Sequence, residues 1–102
     1  MKRKEIKKEV LKWADNKNLL SKDHISVLIQ SLKLISEVGE LSDAIIKKDV
    51  KETVDAIGDI QVVLIILCDQ LELKMDGCLE SAYNEIKERT GKTVSGVFIK
   101  NE

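Results

Sequence analysis

An all-α fold is what this sequence predicts, and three observations carry the prediction. The chain contains no proline, the residue most disruptive of a helix interior. Leucine, isoleucine, valine, lysine and glutamate dominate, while aromatics make up only 3%. Apolar residues also recur at steps of three and four through four segments divided by short polar breaks. The 102 residues are read as one domain, 1–102, in which four helices form a bundle followed by a short extended C-terminal tail. A chain of this size hides only about two-thirds of its unfolded surface, so assembly as a dimer or a dimer of dimers is expected.

The first helix runs over Lys4 to Asn16, with Ile6, Val10, Trp13 and Ala14 as its apolar stripe and lysines on the outer face. Asn16 to Ser21 breaks the pattern, and Asn18 fits a helix terminus. Ser21 or Asp23 can cap the second helix, read from about Asp23 to Lys47. One of its stripes holds Ile25, Leu28, Leu32 and Ile35, and the other holds Val27, Leu34, Val38, Leu41 and Ile45, so it packs on two sides. Gly39 lowers its helix propensity by about 1 kcal/mol relative to alanine, and permits close approach of a neighbouring helix or a ligand.

Lys47 to Lys51 is short enough to turn an antiparallel helix pair. From about Lys51 to Leu71 the chain is apolar nearly all round, which marks a helix buried on most sides. Three other short helices leave part of it uncovered, so a second copy of the chain is expected against it. Met75 to Arg89 forms the fourth helix, its inner stripe being Leu79, Ala82, Tyr83 and Ile86. Gly91 and Gly96 then end helical continuity, and VSGVFIK reads as extended.

Composition excludes several functions. With 17 basic and 18 acidic side chains the formal net charge is −1, which gives no bulk attraction for a nucleic acid polymer or an anionic membrane. No apolar run is long enough to span a bilayer. The basic N-terminus leads into no apolar export core, so a cytoplasmic location is expected. Cys68 and Cys78 lack CxxC spacing and read as reduced core thiols.

The chemistry concentrates between Leu34 and Leu67. Glu37 and Glu40 stand three residues apart on one helix face, and Glu52, Asp55 and Asp59 form a row on the next helix. A solvated face paired with Lys33, Lys47, Lys48 and Lys51 is one account of these acids. Asp59 argues against it, because its surroundings are too apolar for a wide wet face. Burying unpaired carboxylates costs several kcal/mol per ion, and a hard divalent cation with oxygen ligands would compensate them. Magnesium fits where a phosphorylated substrate completes the coordination. A di-iron bundle requires Glu-x-x-His pairs, but the lone histidine, His24, has no glutamate three residues before it. The acids fall on helices, which excludes a calcium loop.

EVGEL at Glu37 to Leu41 and DAIGDIQVVL at Asp55 to Leu64 resemble the MazG-like nucleotide pyrophosphohydrolases, as do LKWADNKNLL near the start and RTGKTVSGVFIK near the end. The resemblance implies an all-helical enzyme that hydrolyses a nucleoside triphosphate to its monophosphate and pyrophosphate with Mg2+. Glu37, Glu40 and Asp59 would be catalytic and would bind metal, with Asp55 as a further ligand. Ser36 and Ala56 stand where the family has glutamates, so activity is expected to be weakened; the alternative is a degenerate oligomeric helical module that binds a nucleotide or a protein partner. Lys33 would contact Glu37 or a phosphate. Arg89, Lys92 and Lys100 match basic positions that neutralise phosphates or else serve as solubilising charges, and Trp13 is either a base-stacking residue or part of the core or an interface.

Overall fold

The computed structural model describes residues 1–101. Four helices follow one another, α1 (Arg3–Asn16), α2 (His24–Ile46), α3 (Val50–Gln70) and α4 (Met75–Ile86), and two strands close the chain, β1 (Gly91–Val94) and β2 (Val97–Lys100). The helical class and the number of helices are those expected. Among the described residues no helix is long and apolar enough to cross a membrane.

Local chemistry sets the boundaries. Asp23 caps α2: one carboxylate oxygen accepts the Ser26 N–H at 2.9 Å, and the other accepts the Ser26 hydroxyl at 2.7 Å and the Ser21 hydroxyl. These bonds hold the Asp23 carboxyl down at about 2. Asp49 does the same for α3, accepting the Glu52 N–H at 3.0 Å, so α3 starts earlier than its apolar pattern suggested. After α1, α2 and α3 the chain passes through a left-handed residue, Asn18, Lys48 and Glu72 respectively. The next N–H then reaches back five residues, as in Leu19 to the Ala14 carbonyl at 2.9 Å and Leu73 to the Cys68 carbonyl at 2.9 Å. These are Schellman-type closures built without glycine.

α3 is the hub. α2 folds back along it after three connecting residues, and α1 and α4 also lie against it; among the described residues no other pair of helices touches. Its C-terminal half supplies most of the core, with Val63, Ile65, Ile66 and Leu67 buried beside Ala14, Ala44 and Ala56. Buried Gln70 donates to the Ser21 carbonyl at 2.9 Å and ties the α1–α2 loop to the end of α3.

Several expectations need correction. Only half of α3 is buried, because Val50, Val54 and Ile57 are exposed on its N-terminal half. α4 ends at Ile86 rather than Arg89, and its supposed inner residues Leu79, Ala82, Tyr83 and Ile86 all face solvent in the single chain. Cys78 is exposed and Cys68 half-buried, both as free thiols, so Cys78 is not a core residue. Among the described residues a Cβ at Gly39 would meet nothing within 4 Å. Trp13 is 50% exposed and so lies outside the core of one chain.

The tail is more ordered than a simple extended segment. β1 and β2 pair antiparallel, with Val94 opposite Val97 and Gly91 opposite Lys100. Ser95 and Gly96 turn the chain with φ of +49° and +80°, the two-residue turn whose twist matches a hairpin. Gly91 is required here, because a Cβ would run into the backbone of β2 and the Phe98 ring. The hairpin rests on no helix.

The chain leaves much surface open. It exposes 8300 Å², against about 5,800 Å² for a compact monomer of this mass. Its radius of gyration is 16.2 Å, where about 13 Å is usual at this length.

Candidate metal centre

Glu37 and Glu40 lie one helical turn apart on α2, and Asp59 faces them from α3. Each offers a carboxylate oxygen within 4.8 Å of the others. Pairing of α2 with α3 brings these three together, helped by the small buried residues Ala44 and Ala56. Ala56 precedes Asp59 by one turn and supplies no oxygen, while Ser36 is exposed on the outer side of α2.

The three acids differ in environment. Glu37 is 4% exposed. One of its oxygens accepts from the Lys33 ammonium at 2.9 Å, while Oε2 is buried with no hydrogen-bond partner among the described residues. Lys33 holds the Glu37 carboxyl below its usual range, and Glu37 in turn raises the pKa of Lys33. Exposed Glu40 is pushed up by its hydrogen bond and charge interaction with Glu37. Asp59 is raised first by burial, then by the charges of Asp55 and Glu37. When ionised, the three carboxylates contain no donor that could satisfy Glu37 Oε2. A proton carried by Glu40 can fill that place, and so can a cation. The donor set, three carboxylates of which Glu37 keeps one oxygen buried and unpaired, suits a hard divalent ion.

The other candidates fall in different places. Asp55 is exposed and beside Asp59 but outside the three-oxygen cluster. Lys33 makes the ion pair with Glu37. Among the described residues Arg89 pairs only with Glu85, at 3.7 Å, and Lys92 and Lys100 lie on the hairpin, which touches neither α2 nor α3. These three basic residues are therefore not at the carboxylate site of their own chain.

One feature escaped the sequence. A groove of about 1040 Å³ runs between α1 and α3, lined by Ile6, Val10, Val54 and Val62, with Arg3, Lys4 and Lys7 on one side and Asp55 and Asp59 on the other. The Arg3 guanidinium donates to the Gln61 side-chain carbonyl at 3.1 Å and ties α1 to α3. The lysines of α1 resemble any solvated helix face, so nothing in the sequence marked them as neighbours of Asp59.

Fold and site together define a helical protein with a candidate carboxylate metal centre. Comparison with known protein families, with curated proteins and with solved structures finds no match to this chain.

Proposed function

We propose that this protein is a Mg2+-dependent nucleotide pyrophosphohydrolase of MazG-like type. It converts a nucleoside triphosphate, ribo- or deoxyribo-, and water to the monophosphate and pyrophosphate. The observation that carries this reading is the buried, unpartnered Oε2 of Glu37 beside Glu40 and Asp59. The motif resemblance supplies the reaction. Glu37, Glu40 and Asp59 hold the metal, Asp55 is a further ligand, and Lys33 keeps Glu37 ionised and ready to bind. Bound magnesium supplies charge for the phosphates and orients the attacking water. The groove beside Asp59 is large enough for a nucleotide, and Arg3, Lys4 and Lys7 provide positive charge on its far side.

The same reading includes a homodimer or homotetramer in the cytoplasm, and the open surface supports assembly. Ile25, Leu28, Ile29, Leu32 and Ile35 make an exposed apolar stripe on α2, ending at Gly39, where among the described residues a Cβ would meet nothing within 4 Å. Exposed patches of this extent mark association surfaces.

A second reading rests on Ser36 and Ala56, which leave three clustered acids. It makes the protein an oligomeric module that binds a nucleotide or a protein partner without turnover. Pyrophosphate release from a panel of ribo- and deoxyribonucleoside triphosphates, with and without magnesium, separates the two. Magnesium-dependent release supports the enzyme and names its base; nucleotide binding without release supports the module.

A further inference from the structure

We propose that the C-terminal hairpin is an arm received by a second copy of this chain. Its Val94, Val97 and Ile99 face covers apolar helix surface there, and its lysines lie against the carboxylate-rich end of that copy's α2–α3 pair. The inference holds whether or not the carboxylates act on phosphate.

The hairpin itself gives the first argument. The register places Lys92, Val94, Val97 and Ile99 on one face and Gly91, Thr93, Phe98 and Lys100 on the other. Val94, Val97, Phe98 and Ile99 are each 43–63% exposed. An isolated two-stranded hairpin is at best marginally stable in water, and no helix of its own chain touches this one. Its apolar face therefore needs cover from outside the chain.

Area and charge identify the cover. The chain exposes 8300 Å², about 2,500 Å² more than a compact monomer of its mass. A standard complex hides about 800 Å² per partner and obligate homodimers hide more, so the excess suffices for a large self-association surface that includes the hairpin. Residues 87–100 carry four basic groups, Lys87, Arg89, Lys92 and Lys100, against one acid, Glu88, for a net of +3. Residues 37–59 carry seven acids and three lysines, a net of −4. Within that acidic span a depression of about 380 Å³ is lined by Glu40, Asp43, Asp49 and Glu52 with the single lysine Lys47. The two oppositely charged parts do not meet within one chain. A second copy lets them meet, and two-fold symmetry makes the exchange reciprocal.

Sedimentation equilibrium of the native chain, of Val97→Lys/Ile99→Lys and of Lys92→Glu/Lys100→Glu tests this. Circular dichroism should show unchanged helix content in both variants, since these side chains touch no helix of their own chain. The native protein is expected to self-associate. The apolar-face variant should weaken association at least tenfold, and the charge-reversed variant should weaken it most at low salt. Hydrogen exchange should show β1 and β2 amides protected in the associated species and unprotected in the dissociated one. A native monomer at micromolar concentration would overturn the proposal. So would association of the apolar-face variant at native strength, or hairpin amides that exchange freely in the native assembly.

Discussion

Replacing Asp59 with asparagine should move stability and metal binding in opposite directions. In the metal-free protein Asp59 and Glu37 present carboxylate oxygens within 4.8 Å of one another. Two full charges at that distance repel by about 3.5 kcal/mol at an effective dielectric of about 20, and by about 0.9 kcal/mol in water. Asp59 is partly solvated, and Lys33 at 2.9 Å offsets much of the Glu37 charge, so the lower value applies. Asp59→Asn should then stabilise the metal-free protein by about 1 kcal/mol at neutral pH, or about 4–8 °C in Tm for a domain of this size. The folded-state pKa of Asp59 is raised, so its charge costs stability above that pKa. The advantage of the variant therefore shrinks as pH falls through it, because the native side chain then carries a proton. Magnesium should raise the native Tm, by about 2.7 kcal/mol worth of stability at one hundred times its dissociation constant. It should do little for the variant, which should also release no pyrophosphate. The assay is thermal unfolding in chelator and in magnesium, at equal protein concentration because association shifts Tm. A variant that melts lower than the native protein in chelator, or gains as much from magnesium, would refute the reasoning.

Magnesium affinity should rise with pH through the raised pKa values of Glu40 and Asp59, because the cation displaces protons; calorimetry at several pH values measures it. Asp23 has its pKa lowered from 3.8 to about 2, so its capping contribution is present above the unfolded value and lost as pH falls through about 2. Asp23→Asn, which keeps an acceptor at all pH, should lose less helix by circular dichroism between those values. Ile66→Ala should cost about 2–5 kcal/mol, since Ile66 is 2% exposed, and should lower the urea midpoint without changing the slope. Lys48→Gly should stabilise by about 0.5–1 kcal/mol, because Lys48 sits at φ +57°, where a side chain is strained.

Most of the helix plan was legible because capping and periodicity are local. Ser21 and Asp23 announced the start of α2, which Asp23 caps, and Asn18 announced the end of α1. Glu37, Glu40 and Asp59 could be brought together on paper once a short turn between two long helices was granted. What stayed hidden depended on contacts between distant residues. Arg3, Lys4 and Lys7 border Asp59 only because α1 lies against α3. The apolar stripe on α4 faces solvent in one chain; apolar periodicity says which side wants cover without saying what provides it. Ser95-Gly96 was a readable turn signal, and treating the tail as one extended piece concealed the hairpin.

Because every other helix meets only α3, the helices attach like spokes to one axle. Detaching α1 removes the Arg3 tie and one wall of the groove without disturbing the contact between α2 and α3. Detaching α4 releases the segment leading to the hairpin and leaves the three carboxylates where they are. Each outer helix is thus a separate unit of local opening, and substitutions on α1 and α4 should add independently. Anything that grips α1 alters access to the carboxylates without rebuilding them.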